Sequence, residues 1–265
     1  MKKYNGAVFF DFDGTLVDEK EHIYIPTDET KRSIEKLKSN GYMTCIATGR
    51  ARCYIPKTGI DFDCYVTSNG ACVSVDGEYI LNDTMDSADL SELIDFFDKN
   101  DYGYIIENDT ECYYSKTNQD SFIRMMENFN ISMNCFLPFD GRADRINANK
   151  MMFTYNDDKS FCELKERFGD KYNITRHRSN PSGDLVKKQT NKAQGIRAVA
   201  KAFDLSLSDT YAFGDGENDV EMISAAGNGI VMGRHAKALE ALPAYITETV
   251  INEGVTLALK KFDLI

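Results

Sequence analysis

The stretch Ala7-Val8-Phe9-Phe10-Asp11-Phe12-Asp13-Gly14-Thr15 decides the fold. Its apolar run predicts a strand, and two aspartates separated by one phenylalanine follow that run. Because side chains alternate along a strand, the carboxylates of Asp11 and Asp13 point to the same side. At 4 Å and an effective dielectric constant of 20, two such charges repel by about 4 kcal/mol. The pair therefore indicates a compensating cation or chemistry, unless it is a plain Asp-Gly turn with both acids solvated.

Composition limits the class of protein. The chain has 265 residues, 42% of them hydrophobic, which suffices for one large domain or two smaller ones. A formal net charge of -11 argues against nucleic acid as a partner. No apolar run long enough for a membrane span and no signal-peptide pattern are present, and seven cysteines without a Cys-x-x-Cys pair indicate reduced thiols in the cytoplasm. The oligomeric state is not predicted.

Strand and helix signals alternate in the first and last thirds of the chain. This alternation predicts an α/β fold with a doubly wound, Rossmann-like core and a parallel sheet. The middle third differs, because a hairpin signal at 104–114 lies between predicted helices, one of them over about 119–128. We therefore expect an inserted α+β domain. The predicted boundaries are 1–82 and 185–265 for the core and 83–184 for the insert.

Three further polar segments follow predicted strands or begin a predicted helix. Ligands bind at such places in open α/β sheets. Taken alone, each segment has a simpler interpretation, as a Thr-Gly turn, an exposed lysine or a polar turn before a helix. The segments are Ala47-Thr48-Gly49-Arg50, Thr190-Asn191-Lys192 and Gly214-Asp215-Gly216-Glu217-Asn218-Asp219.

Together the four segments resemble the motifs of haloacid dehalogenase superfamily phosphatases, in the Cof-type group with a IIB-type inserted cap domain. They occur in the family's order, with the insert between the second and the third, and the resemblance covers the whole chain. It implies a Mg²⁺-dependent phosphatase that hydrolyses a small phosphorylated metabolite, such as a sugar phosphate, through an aspartyl-phosphate intermediate. The alternatives are a phosphomutase acting on hexose phosphates and a non-enzymatic phospho-receiver.

The resemblance also implies roles for the acidic residues. Asp11 resembles the nucleophile that attacks phosphorus, and Asp13 the general acid and then base. Mg²⁺ would be held by the side chains of Asp11 and Asp215 and by the main-chain carbonyl of Asp13, since hard oxygens suit this ion. Asp219 would bind Mg²⁺ directly or contact the residues that bind it, and Asn218 would support the loop at 214–219.

The same resemblance implies a phosphate-binding set. Thr48 would donate its hydroxyl to the phosphoryl oxygens, and Gly49 would let the backbone approach them. A lysine would neutralise charge at the phosphate and at the nucleophile. We favour Lys192 because it begins the helix after the insert, although an alanine follows it where the family usually has glycine. The other candidates are Lys187 and Lys188.

Two residues keep open alternatives. Asn69, in Thr67-Ser68-Asn69-Gly70-Ala71, matches a loop common in the Cof-type group, where it would face the substrate or the cap. It equally fits an ordinary Asn-Gly turn. Arg50 would contact the substrate or only brace its loop.

Overall fold

The computed structural model describes residues 3–116, 123, 126–127, 131–177, 181–242 and 244–265. The chain divides into two compact units. Unit 1 comprises Met1–Gly49, Pro56–Leu81 and Asn191–Ile265, and unit 2 comprises Arg50–Ile55 and Asn82–Thr190.

The strands and helices follow the predicted alternation. In chain order the strands are β1 (Gly6–Phe10), β2 (Tyr42–Ala47), β3 (Cys64–Thr67), β4 (Cys72–Val75), β5 (Glu78–Asn82), β6 (Tyr104–Glu107), β7 (Cys112–Tyr114), β8 (Phe136–Pro138), β9 (Lys150–Thr154), β10 (Tyr172–Arg176), β11 (Ser182–Lys187), β12 (Thr210–Gly214), β13 (Asn228–Val231) and β14 (Tyr245–Ile246). The α-helices are α1 (Asp28–Ser39), α2 (Ser87–Lys99), α3 (Asp158–Phe168), α4 (Lys192–Phe203), α5 (Val220–Ala225) and α6 (Gly254–Lys261).

Unit 1 is built on one sheet with the strand order β14-β13-β12-β1-β2-β3-β4-β5. The strands from β14 to β3 run parallel, and β4 runs antiparallel to β3. Strand β1 lies near the middle and is buried along its whole length, as its apolar sequence requires. Phe10 is in register with Ile46 on one side and Phe213 on the other. The carboxyl ends of β1, β2 and β12 therefore meet at one edge, and the predicted α/β class is confirmed.

Capping residues set where the helices of unit 1 begin. The Thr27 hydroxyl accepts a hydrogen bond from the Thr30 N–H at 3.1 Å, so α1 begins directly after Thr27, at Asp28. The Asn191 side chain caps α4 in the same way. Helix α4 then packs closely on β3, because a Cβ at Gly195 would overlap the Val66 side chain. This cap and this packing fix the position of Lys192 at the start of α4.

Unit 2 contains a second sheet, with the strand order β10-β11-β9-β6-β7-β8. Neighbouring strands in this sheet pair antiparallel, except for β7 and β8, which pair parallel. Rings of Phe97, Tyr102 and Phe153 stack in its core. The predicted hairpin is formed by β6 and β7. Because β11 belongs to this sheet, unit 2 continues beyond the boundary expected at residue 184, and it also takes in Arg50–Ile55.

Part of the sheet in unit 1 was not predicted from the sequence. Strands β4 and β5 are neighbours, joined by Asp76 and Gly77, which both have positive φ. Alternating Cys-Val-Ser-Val before Asp-Gly is a hairpin signal that the prediction overlooked.

The helix predicted over 119–128 falls mostly outside the described residues. Further along the chain, a short 3₁₀ turn lies at Ala143–Arg145. Among the helices that the structure describes, none combines the length and the apolar character needed to cross a bilayer.

Candidate active site

The predicted site residues gather at the carboxyl edge of the sheet in unit 1. Asp11 directly follows β1, Thr48 follows β2, and Asp215 follows β12. The Asp11 N–H donates to the Phe213 carbonyl at 2.9 Å, which extends the pairing of β1 and β12 to the site. Three segments that are distant in sequence are thus brought to one edge, as the parallel topology predicted.

Lys192 is buried between two carboxylates. Its Nζ lies 2.5 Å from Asp11 Oδ1 and 2.6 Å from Asp219 Oδ1. Burial alone would lower the pKa of Lys192, but the charges of these two aspartates outweigh burial and raise the pKa above its usual value. The other two candidates are engaged in unit 2, where Lys187 pairs with Asp83 at 2.5 Å and Lys188 binds a main-chain carbonyl.

Three carboxylates form a compact acidic cluster around this lysine. Asp11, Asp215 and Asp219 each offer an oxygen within 4.8 Å of the others. Burial, followed by the charge of Asp219, raises the pKa of Asp11 to about 7 against the opposing effect of Lys192. Burial and the charges of Asp11 and Asp219 raise the pKa of Asp215 to about 9. The cluster therefore holds more negative charge than Lys192 alone compensates.

The donor set of this cluster fits a hard divalent cation. Asp215 Oδ1 is buried and has no hydrogen-bond partner. Leaving such an oxygen unpaired costs about 1–3 kcal/mol, a cost that a cation would remove. Both oxygens of Asp219, in contrast, are occupied, one by Lys192 and the other by the N–H groups of Asp215 and Gly216 at 2.9 and 2.8 Å. Asp219 is thus placed to position the lysine and the Asp215 loop.

Asp13 lies in the turn that follows Asp11 and is exposed. Its negative charge contributes to the raised pKa of both Asp11 and Asp215. The turn is closed by the Gly14 N–H, which donates to the Val17 carbonyl at 2.8 Å. Gly14 has a φ of +92°, and a Cβ there would overlap the Asp215 carboxylate. The glycine of the motif is therefore needed for the approach of the two loops.

Asn69 joins the loops that follow three strands. Its N–H donates to the Thr48 carbonyl at 3.0 Å, and its Oδ1 accepts from Asn218 Nδ2 at 3.1 Å. A Cβ at Gly49 would lie 3.0 Å from the same Oδ1. Thr48 itself is buried. These contacts go beyond a simple Asn-Gly turn, because they fix the Thr48-Gly49 loop relative to Asn218.

Gly70 supplies a testable constraint on this region. It has a φ of +98°, and a Cβ would overlap the Asn191 carbonyl oxygen at the start of α4. We expect Gly70→Ala to lower the free energy of unfolding by about 1–3 kcal/mol from backbone strain, and by more from the overlap. Gly77→Ala is the matched control, since Gly77 has a φ of +84° and nothing within 4 Å of a Cβ. Equal losses for the two variants in urea unfolding would contradict the importance of this contact.

Arg50 directly follows Gly49, yet it belongs to unit 2. Its side chain is buried. The two roles considered for it, contact with the substrate and bracing of the loop, both stay predictions.

Unit 2 has a buried charged cluster that the sequence analysis did not find. Lys150 Nζ lies 3.2 Å from Glu107 Oε1 and 3.4 Å from Asp184 Oδ1. The Tyr54 hydroxyl donates to Glu107 Oε2 at 2.7 Å. Burial raises the pKa of Glu107 to about 7, whereas Lys150 and His177 outweigh burial at Asp184 and hold its pKa well below the usual range. The sequence signal for this cluster was a charged residue at one end of a largely apolar strand. Glu107 ends β6, and Lys150 begins β9.

The comparison with protein families agrees with the motifs and the geometry. Residues 8–259 match the model of the haloacid dehalogenase-like hydrolase family. The chain belongs to this family. The resemblance predicted from the four motifs, including the Cof-type assignment, is thereby confirmed. The hydrolase is also similar over almost its full length to proteins that carry phosphatase names.

Two curated relatives and one solved structure illustrate this similarity. YkrA of Bacillus subtilis strain 168, named as an inferred phosphatase, is 24% identical over 97% of this chain and 98% of its own. The phosphoglycolate phosphatase of Methanosarcina acetivorans is 24% identical over 96% of this chain and 95% of its own. The haloacid dehalogenase subclass IIB sugar phosphatase BT4131 has the same fold, with a TM-score of 0.85, 24% identity and coverage of 98% of this chain and 100% of its own.

Proposed function

We propose that this hydrolase is a Mg²⁺-dependent phosphatase that cleaves a small phosphorylated metabolite, a sugar phosphate in particular, through an aspartyl-phosphate intermediate. As a haloacid dehalogenase-like hydrolase with phosphatase relatives, the protein is a phosphoric monoester hydrolase. The observation that carries the proposal is the buried Lys192, held between Asp11 and Asp219 beside the unpartnered oxygen of Asp215. Such an arrangement suits a dianionic phosphate next to a carboxylate.

In the first step, a carboxylate oxygen of Asp11 attacks phosphorus, and the bond from phosphorus to the substrate oxygen breaks. Asp13 gives its proton to that leaving oxygen, so an alcohol departs. In the second step, Asp13 takes a proton from water, which attacks the phosphoryl group, frees Asp11 and releases inorganic phosphate. The exposure of Asp13, beside the buried Asp11, suits a group that exchanges protons with substrate and water.

The Asp11 and Asp215 side chains and the Asp13 main-chain carbonyl would hold the Mg²⁺ ion. When bound, the ion would reduce the repulsion between the anionic nucleophile and the anionic substrate. Asp219 would act through its hydrogen bonds, by fixing Lys192 and the main chain of Asp215.

Phosphate binding would use groups at the same edge of the sheet. Lys192 offers a positive charge to the phosphoryl oxygens, and Thr48 and the Gly49 N–H offer hydrogen-bond donors. Asn69 would hold that loop in place through its bonds to Thr48 and Asn218. These donors would bind the phosphoryl group whatever the leaving group.

Unit 2 would act as the cap that recognises the leaving group, with the insert at 83–184 as its main part. A cap that excludes water from a charged site favours substrate chemistry over side reactions. The cytoplasmic location is part of the same proposal, since all seven cysteines are free thiols.

Metal binding should release protons. Without the ion, the pKa of Asp11 is raised to about 7 and that of Asp215 to about 9, so at neutral pH Asp11 is partly protonated and Asp215 is mostly protonated. A cation favours the ionised forms, and we therefore expect Mg²⁺ affinity to rise with pH between about 7 and 9. Calorimetry in buffers of different ionisation enthalpy measures the released protons. An affinity that does not change over this range would refute the expectation, and Asp215→Asn should lower the proton release.

A substrate screen tests the function directly. Inorganic phosphate release would be measured for hexose phosphates, phosphoglycolate and other small phosphate esters, with Mg²⁺ and with EDTA. We expect kcat/KM to be highest for a sugar phosphate and activity to be lost in EDTA. Isomerised hexose phosphate without phosphate release would overturn the proposal in favour of a phosphomutase, for which the described residues provide no separate support. Activity in EDTA would overturn the metal dependence.

A further inference from the structure

We propose that Arg234 is a positioning residue for Asp13, because its guanidinium anchors the chain that follows Asp13 to the loop that follows β13. The inference rests on the proposed role of Asp13 as general acid and base. Arg234 Nη1 lies 3.2 and 2.9 Å from the two carboxylate oxygens of Asp18, and its Nη2 lies 2.6 Å from Glu21 Oε1. One side chain of unit 1 thus holds two acidic residues that come shortly after the first motif.

The chain that follows Asp13 folds back on itself through main-chain hydrogen bonds. The Gly14 N–H donates to the Val17 carbonyl at 2.8 Å, and Asp13 and Val17 form a parallel bridge. Asp18 and Ile23 then exchange two main-chain hydrogen bonds of 2.9 Å each in an antiparallel bridge. Because Asp18 directly follows the bridge partner of Asp13, a contact that holds Asp18 also restricts the main chain of Asp13.

Arg234 itself belongs to a loop that is tied to the Asp215 loop. The Met232 N–H donates to the Gly214 carbonyl at 3.0 Å, and the Ala236 N–H donates to the Asp215 carbonyl at 2.7 Å. Arg234 lies between these two bonds in the chain, so its main chain is fixed close to the loop that would bind Mg²⁺. The two ion pairs of Arg234 therefore join the turn of the proposed general acid to the proposed metal-binding loop.

The burial of Asp18 gives this anchor its strength. Ion pairs between fully exposed groups contribute little to stability, but the Asp18 side chain is only 9% exposed, against 45% for Arg234. Without the arginine, a buried carboxylate loses its charged partner, and opening of the segment would return that carboxylate to water. Asparagine at position 18 would still offer Arg234 an oxygen and would bury no charge, so loss of the arginine is the decisive change.

Loosening of this segment should affect proton transfer more than phosphate binding. A general acid has to lie within hydrogen-bond distance of the leaving oxygen, and the position of the Asp13 side chain follows from that of its main chain. An alcohol needs a proton as it departs, whereas p-nitrophenolate is a stable anion and needs one far less. The effect of removing Arg234 should therefore depend on the leaving group.

Single-turnover kinetics of Arg234→Met test this dependence. With saturating Mg²⁺, alcohol release from the alkyl phosphate that has the highest kcat/KM in the substrate screen should slow at least about fivefold, and p-nitrophenolate release from p-nitrophenyl phosphate less than about twofold. Arg32→Met is the matched control, since Arg32 is an exposed arginine of α1 that pairs with Glu29 at 2.8 Å. It should leave both rates unchanged. Equal losses for the two esters in Arg234→Met, or no loss for either, would overturn the proposal.

Amide hydrogen exchange tests the anchor without any need for activity. In Arg234→Met, the amides at 14–23 should exchange at least about tenfold faster, while those of α1 keep their rates. Unchanged exchange at 14–23 would overturn the role of Arg234, whatever the kinetics. Faster exchange at 14–23, together with no phosphate release from any ester by the unaltered protein, would support the anchor and overturn the proposed function.

Discussion

Replacement of Asp11 by asparagine is expected to lower kcat by at least about 10⁴-fold. Asparagine keeps the shape of the side chain but cannot form an acyl phosphate as the carboxylate does. Its amide oxygen can still accept a hydrogen bond from Lys192, so the surrounding contacts are kept. The measurement is phosphate release under single-turnover conditions with saturating Mg²⁺. Turnover within about tenfold of the unaltered enzyme would refute Asp11 as the nucleophile.

The same substitution should not destabilise the protein. Burial and the charge of Asp219 raise the pKa of Asp11, which means that the folded state disfavours the ionised carboxylate. A carboxyl with a raised pKa favours the folded state at low pH, and this contribution is lost as pH rises toward about 7. In EDTA, Asp11→Asn should therefore equal or exceed the unaltered protein in stability above pH 7, with the advantage disappearing near pH 4. Urea unfolding at both pH values measures this.

Asp18→Asn is a suitable control for Asp11→Asn. Asp18 lies in the segment that follows β1 and is buried, but it pairs with Arg234 at 2.9 Å instead of facing the acidic cluster. The substitution removes one carboxylate charge and keeps the side-chain oxygen that accepts from the Lys20 N–H. It should retain most of the activity. A large loss of kcat in this variant would mean that general loss of negative charge, and not loss of the nucleophile, explains the result for Asp11.

Much of unit 1 could be predicted because local signals and tertiary structure agree there. The apolar run before Asp11 is a buried strand, as its sequence predicted. Parallel strands bring their carboxyl ends together whatever the intervening chain, so the motifs alone predicted that Asp11 and Asp215 would meet.

Pairwise contacts between distant segments could not be predicted in this way. Three lysines near the end of the insert were candidates, of which the resemblance favoured Lys192, and its contact with Asp11 depends on the packing of α4 on β3. The double use of Asp219, by Lys192 and by two main-chain N–H groups, likewise depends on loop geometry. The motifs indicate which residues meet at the site, but they carry no signal for the individual hydrogen bonds that join them.

Unlike Asp11→Asn, the substitution Lys192→Met is expected to destabilise the protein. The substitution leaves buried carboxylates without their ammonium partner and should lower the free energy of unfolding by about 3–5 kcal/mol. It should also lower kcat/KM by at least about 10²-fold, because the charge offered to the phosphoryl group is lost. Urea unfolding and phosphate release are the measurements, made at a temperature where the variant is folded. An unchanged stability would contradict the buried position of this lysine.

Lys150→Met separates the two effects of a lost buried lysine. Lys150 is as deeply buried as Lys192 and also lies between two carboxylates, but in unit 2. The Lys150→Met variant should lose a similar amount of free energy of unfolding to Lys192→Met, and its kcat should fall far less. Combining Lys192→Met with Asp11→Asn should restore part of the stability, because one of the uncompensated charges is then absent. Effects that simply add, within about 0.5 kcal/mol, would mean that Lys192 and Asp11 do not interact in the folded protein.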